Sequence, residues 1–286
     1  MENITCIKSV SDKSFRYIHK QEEAPDLSNY MVHTHDFYEL LIFLEGDASF
    51  VAEGATHPLA PLDAIVTRPG EMHQIYHHTR SRYERILLNF TDSFFVNNDC
   101  SEYRRIFTDR EMGRENIIRS GSMRGSAVLD AVQRIERYIR EGEQVRKSRG
   151  EHRHRNDVVI RCAVIELLHA LNQLKPDSAA GTPQSAAVRR AADYINRNLA
   201  GDLSLEELSE RFFVSKYHLC RMFKTCMGMT IGQYITRKRI LLAKSLYQDG
   251  CSLSEAALQS GFADYSSFYK ACVKEFGTPP KKSLAR

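Results

Sequence analysis

Two groups of residues in this chain have the types and spacing to do chemistry. The first is His33-Thr34-His35, followed by Glu39 and then by Pro69-Gly70-Glu71-Met72-His73. In an extended segment, residues two apart share a face, so His33 and His35 can look into one cavity. Glu39 lies four residues on, and His73 would arrive from another strand. Three imidazoles and a carboxylate gathered in this way could hold Fe, Mn, Ni or Zn. The favoured reading is instead an effector pocket, a cavity rim that binds an organic effector, because buried His side chains are often satisfied by hydrogen bonds alone.

The second group is Lys216, Tyr217, Cys220, Arg221 and Lys224, with Tyr265, Ser266, Tyr269, Lys270 and Lys281 further along. Arg can bond guanine O6 and N7 in bidentate fashion, and Tyr can pack on a thymine methyl or bond a phosphate. Lys281 is placed to meet phosphate. Cys220 is a poor base reader, which puts more of the first group's specificity on Arg221 and Tyr217.

The elements that must carry this second group form a repeated helical pattern. Ser204-Leu205-Glu206-Glu207 opens a helix that breaks at Phe213-Val214 and restarts at Ser215. Ser252-Leu253-Ser254-Glu255 opens another, which breaks at Gly261-Phe262 and restarts at Asp264. Each copy begins with Ser-x-x-Glu, the capping box in which the two side chains satisfy orphan N–H groups. Two helices joined by so short a break predict a helix-turn-helix. The inward residues would be Leu205, Leu208 and Phe212 with Leu219, Met222 and Phe223, and in the second copy Phe268, Cys272 and Phe276. A helix over Val188–Leu199 precedes them, with Ala191, Ala192, Ile195 and Leu199 inward. Another, over Ile231–Gln248, joins the copies and spans roughly 27 Å. Successive major grooves on one face of DNA lie about 34 Å apart, so bending of the DNA would take up the difference. Arg237, Lys238 and Arg239 cluster on this joining helix, at least one of them as a solvated surface charge.

The His/Glu group lies among short alternating runs: Tyr38–Leu44, Ala48–Ala52, Ala64–Thr67, Gln74–His77 and Arg85–Phe90. Turn residues separate them, as expected for a small sandwich or barrel. From Gly125 the period becomes helical. Val128, Val132, Ile135 and Ile139 form one stripe, ending near Glu141-Gly142. Ile160, Val164, Leu167, Leu171 and Leu174 form a second, in a helix over about Asp157–Leu174. One stripe would pack on the barrel and the other could pair two copies of the chain. Between them the basic run 146–155 reads as a solvated loop. Residues 175–183 read as an interdomain linker.

Charge follows the same division. Residues 186–286 hold 16 Lys and Arg against 9 Asp and Glu, a net +7, whereas the first 185 hold 24 against 27, a net −3. A basic C-terminal part suits nucleic acid at that end. The seven Cys are an odd number without CxxC pairing, which argues against a disulfide framework or a zinc finger. With neither a long apolar run nor a signal-peptide core, a cytoplasmic protein without membrane contact is expected.

His33, His35, Glu39 and Gly46 resemble the first motif of the cupin barrel, and Gly70 and His73 resemble the second. Leu62, Arg68 and His77 depart from it, standing where Gly, Pro and Asn are usual. The resemblance is closer in the last hundred residues. Ser215 through Lys224, Gly232 to Ile235, Arg239, Leu242-Ala243, Gly261-Phe262, Phe268 and Phe276-Gly277-Thr278-Pro279 are similar to the DNA-binding domain of AraC/XylS-type transcription regulators. Cys272, where Phe is usual, and Ser283-Leu284, where Tyr-Arg is usual, depart from that pattern. In that family the base-reading positions are those matched here by Tyr217, Cys220 and Arg221, and by Tyr265, Ser266 and Lys270.

Residues and resemblance together imply an α+β protein. Residues 1–92 would be a cupin-like, effector-sensing β-barrel, and 93–176 a helical extension used in dimerisation. Residues 177–186 would be a linker, and 187–286 an all-α domain with two helix-turn-helix units. The resemblance implies a cytoplasmic homodimer that binds double-stranded DNA and activates transcription by contacting RNA polymerase, under a small-molecule effector such as a carbohydrate. It implies no catalytic residues and no cofactor, with His33, His35, Glu39 and His73 lining the effector pocket and a divalent metal there as the lesser alternative. The alternative is a metal-dependent cupin enzyme fused to a DNA-binding domain; a third possibility is an N-terminal domain that binds no ligand.

Overall fold

A computed structural model describes residues 4–26, 30–149, 157–178 and 183–284. These fall into two compact units, residues 1–52 with 56–180, and residues 53–55 with 181–286.

Among the described residues the first unit contains nine strands: β1 Ile4–Ser11, β2 Phe15–Glu22, β3 Tyr38–Glu45, β4 Ala48–Ala52, β5 Ala55–Pro58, β6 Ala64–Thr67, β7 His73–His77, β8 Tyr83–Phe90 and β9 Ile117–Ile118. Its helices are α1 Asp92–Asn97, α2 Arg105–Thr108, α3 Ser120–Met123, α4 Ala127–Arg149 and α5 Asp157–Leu171. One sheet has the order β1-β2-β8-β3-β6-β9, and a smaller one β5-β4-β7. Five strands match the expected runs within a residue or two. β1, β2, β5 and β9 were not expected; the first two are polar, β1 pairing with β2 at the sheet edge and β2 with β8, and β9 is only two residues long.

Alternation along the large sheet separates two jobs. Leu40 and Ile42 of β3, Val66 of β6, and Ile86, Leu88 and Phe90 of β8 face one way. They share a core with Val128, Val132, Ile135 and Ile139 of α4 and Ile160, Val164, Leu167 and Leu171 of α5. Leu41, Phe43, Ile65, Leu87 and Tyr83 face the other way, into an interior shared with Phe50 and Ile75 of the small sheet. Both helical stripes are therefore consumed within the unit, so neither is left to pair two chains as expected. α4 also continues through Gly142, and α5 stops at Leu171, short of Leu174. Residues 146–149 of the basic run end α4 rather than forming the expected loop, and 150–155 lie outside the described residues.

The second unit contains α6 Pro183–Arg197, α7 Leu205–Phe212, α8 Lys216–Met227, α9 Ile231–Gln248, α10 Leu253–Gln259, α11 Tyr265–Phe276 and α12 Pro280–Ser283. α6 starts inside the expected linker, because Pro183 suits a first helical position where its missing N–H costs nothing. Residues 179–182 of that linker lie outside the described residues.

Both helix pairs form as expected, but their caps differ. The full reciprocal box is present at Ser252 and Glu255. At Ser204 only half of it exists: the hydroxyl accepts from the Glu207 N–H, while the Glu207 carboxylate takes the Tyr194 hydroxyl and Arg211 instead. A second full box, unforeseen, opens α9 at Thr230 and Gln233. Phe276 is also not a core residue; it is 45% exposed while Phe268 and Cys272 are buried. Eight residues beyond Phe268, the helix has turned the stripe by roughly 80° at about 100° per residue.

The turn between α7 and α8 is strained. Phe213 sits there at φ 52°, left-handed, with its ring 95% exposed. That conformation costs an L-residue roughly 1–2 kcal/mol, of which a flexible Gly would forfeit part through its unfolded-state entropy. Phe213→Gly is expected to raise stability by about 1 kcal/mol in urea unfolding; a lowered midpoint would show that the ring is holding something.

Candidate functional site

The His/Glu group converges. His33 and His73 form an antiparallel bridge, each backbone N–H donating to the other's carbonyl at 3.0 and 2.9 Å. Gly70 N–H donates to the His35 carbonyl at 2.9 Å, so the HxH segment is zipped to the Pro-Gly turn. One ring nitrogen from each of His33, His35 and His73 lies within 4.8 Å of the others. Phe37 stacks on the His35 ring at 3.8 Å between centroids and fixes its plane.

Glu39 comes from β3 on the interior face, opposite Thr67 of β6 and Asn89 of β8. Its oxygens stand 3.8 Å from His35 Nε2 and 3.7 Å from His73 Nε2. With the Asn89 amide turned to satisfy both its atoms, its nitrogen donates to Glu39 at 3.1 Å. Burial opposes the Glu39 charge, but the two facing imidazoles outweigh it and hold the carboxyl well below the usual carboxylate range. Burial likewise opposes a charge on His73, and Glu39 reverses the balance, whereas burial and the neighbouring His73 push His33 down.

Sequence reasoning assigned no role to the anchor beneath this loop. Glu71 accepts both arms of the Arg110 guanidinium, at 2.8 and 2.6 Å, and the Gly113 N–H at 2.6 Å, with the pair 0% and 2% exposed. Its backbone carbonyl accepts from His73 Nδ1 at 2.9 Å. Nor was the polar group deeper in the interior foreseen. There Arg85 lies 4.4 Å over the Tyr83 ring and pairs with Glu22 at 2.8 Å, beside His77. No local signal marks either group, since the partners are far apart in sequence.

In the second unit, Leu219, Phe223 and Met227 turn the inner face of α8 into the core. Tyr217, 76% exposed, and the exposed Lys216, Arg221 and Lys224 are left outward. Cys220 is half-buried, and Met222, expected in the core, is only half-buried as well. The Arg221 guanidinium lies 5.9 Å from the centroid of the Tyr217 ring, while Lys216 is already paired with Glu206. On α11, Tyr265, Ser266, Tyr269 and Lys270 are all exposed, and Lys281 is exposed on α12.

The cluster Arg237, Lys238 and Arg239 on α9 is different from what its sequence implied. Arg237 pairs with Glu275 of α11 at 2.5 Å. Lys238 is 3% exposed and donates at 2.5 Å to Glu53, which belongs to this unit and also takes the Tyr234 hydroxyl. Arg239 donates to the Leu199 and Gly201 carbonyls at 2.8 and 2.9 Å. All three are structural, and none is the solvated charge that was expected.

Residues 20–106 match the AraC-like ligand binding domain family, and residues 208–286 a helix-turn-helix domain family. The multiple antibiotic resistance protein MarA of Escherichia coli is 38% identical over 91 residues, 32% of this chain and 72% of that protein. The HTH-type transcriptional regulator YfiF of Bacillus subtilis is 23% identical over 278 residues, 94% of this chain and 83% of that protein. Among solved structures, ToxT from Vibrio cholerae covers 96% of this chain and 99% of its own, at 13% identity and a TM-score of 0.38.

Proposed function

This chain belongs to the AraC-type family of transcription regulators, and from that footing we propose that it binds specific double-stranded DNA through α8 and α11. Family membership supplies a DNA-binding regulator with a ligand-binding domain. One observation carries the residue-level proposal: both helices bury one stripe and leave Tyr217, Arg221, Tyr265, Ser266 and Lys270 exposed together on their outer faces. Arg221 supplies the bidentate donor that can read guanine. Cys220 contributes little, and Lys216 must exchange Glu206 for phosphate.

The family resemblance supports activation through RNA polymerase, action as a cytoplasmic homodimer, and control by a small-molecule effector, a carbohydrate among the classes to be tried. Among the described residues no helix is long and apolar enough to cross a membrane. A reporter fused to the bound promoter, with the gene for this protein present or deleted, separates activation from repression.

Footprinting on the promoter regions nearest its own gene tests the interface. Arg221→Ala is expected to lose about 1–3 kcal/mol on the cognate site and to relax base preference at one position. Lys281→Ala should instead weaken cognate and random DNA alike, with a shallower salt dependence. Equal losses on both DNAs for Arg221→Ala would reduce that residue to a phosphate contact.

A further inference from the structure

α8 and α11 can be laid one on the other without a gap. Each has 12 residues, opens on a side chain that accepts the N–H three positions on, and stops at a left-handed glycine. The opening residues are Ser215 and Asp264, and the glycines Gly228 and Gly277. In that register the buried Leu219 and Phe223 fall on the buried Phe268 and Cys272, so both helices turn the same face inward. Residues four apart share a side of a helix. One outward stripe of α8 is therefore Lys216, Cys220 and Lys224, and its counterpart on α11 is Tyr265, Tyr269 and Val273. A stripe that is cationic in one copy is apolar in the other.

Tyr265, Tyr269 and Val273 are 38, 41 and 37% exposed, and the two rings lie 6.4 Å apart between centroids. Exposed Lys270 and Lys274 stand beside the stripe, and exposed Lys281 follows it. Glu275, the one acid of α11, is already paired with Arg237 at 2.5 Å. That balance of charge suits a polyanion rather than an apolar protein partner. Composition then narrows what the stripe can read. α11 has no Arg, Asn or Gln, the side chains that grip guanine or adenine edges with two hydrogen bonds. Among base edges in the major groove, the C5-methyl of thymine is the apolar feature that two phenol rings and a branched aliphatic chain can cover.

We propose that α11 reads thymine methyl groups through Tyr265, Tyr269 and Val273, so that the half-site beneath it is rich in A·T pairs, while α8 selects guanine through Arg221. The inference rests on the DNA-binding function proposed above and names what each helix selects. The first residues of a reading helix reach the base edges best, so Tyr265 and Tyr269 carry more of the selection than Val273, two turns in.

The test is a binding titration on the footprinted promoter site with thymine replaced by deoxyuridine, one position at a time. Uracil keeps the pairing edge and the O4 acceptor and lacks only the methyl. Arg221→Ala, by relaxing one position, marks the half under α8. In the other half at least two thymines are expected to lose about fourfold in affinity each, the worth of one buried carbon group. In the α8 half only a thymine beneath Tyr217 should respond. Tyr269→Ala, at an exposed position, should weaken binding to thymine DNA and cost clearly less where uracil already stands beneath it; losses that simply multiply would overturn that contact. An α11 half that tolerates every uracil would overturn the proposal, and a loss there with 7-deazaguanine would pass the reading to Lys270. So would a Tyr269→Ala protein that keeps its melting temperature and DNA affinity but activates less, because the stripe would then face a protein. Absence of any footprint on unmodified DNA would instead remove the DNA-binding function, and this inference with it.

Discussion

Glu71→Gln is expected to destabilise the first unit by about 3–5 kcal/mol, the range for breaking a buried ion pair from one side. Glu71 and Arg110 are almost wholly buried, and the fork between them is bidentate. The amide would keep one acceptor and turn an N–H₂ group against the guanidinium or the N–H groups of Gly113 and Arg68, leaving Arg110 charged in a poorly solvated place. Urea unfolding of the full chain measures this, and a loss below about 1 kcal/mol would mean that Arg110 finds water or another acceptor.

The same residue predicts a pH window. Burial would raise the Glu71 carboxyl, but Arg110 and the backbone N–H groups of Gly113 and Arg68 bring it from 4.5 to about 2. A carboxyl depressed on folding stabilises fully above its unfolded value and loses that contribution as pH falls through the folded one. Stability worth about 3 kcal/mol should therefore fade between roughly pH 4.5 and 2, and the difference between wild type and Glu71→Gln should shrink over that interval. A difference independent of pH would show that packing, not charge, is responsible.

Gly261→Ala should be as damaging to the second unit, at about 3 kcal/mol or more. Gly261 lies at φ +95°, and an added Cβ would fall 2.2 Å from the Leu199 carbonyl oxygen and 2.8 Å from Arg239 Nε. Backbone strain accounts for roughly 1–3 kcal/mol. Displacing Arg239 from its two carbonyls adds roughly 1.5–3 kcal/mol for a charged hydrogen bond. Hydrogen exchange across α10 and α11 would report the loosening. Arg239→Met removes the same clamp, so the double variant should cost clearly less than the two singles together; full additivity would mean that the glycine acts through its own φ alone.

What the sequence disclosed was set by the range of the interactions. The helix pairs, their Ser215 and Asp264 caps, the Gly277 stop and the full extent of α9 depend on neighbours within a few positions, and each was legible. So were the central strands, whose alternation is local. Reasoning failed where a distant partner decides the outcome. Arg237, Lys238 and Arg239 look like a basic surface cluster until Glu275, Glu53 and two carbonyls claim them. Glu71 looks like a solvated turn residue until Arg110 arrives from 39 positions on. β1 and β2 were missed because their polar side chains weaken the alternation that marks a strand. His33, His35, Glu39 and His73 do meet at one place, as their spacing suggested, yet the backbone carbonyls that hold each Nδ1 are a detail no spacing encodes.

The odd–even division of β3, β6 and β8 bears on how such a sensor could be retuned. Positions such as Leu40, Ile42 and Leu88 carry the stability of the unit, while their immediate neighbours Glu39, Leu41, Leu87 and Asn89 line the interior. Mutational libraries confined to the interior parity would alter what the barrel recognises while sparing the helix-packed core. Specificity and foldability are thus written on alternate residues of the same strands, and a designer of biosensors could vary one without spending the other.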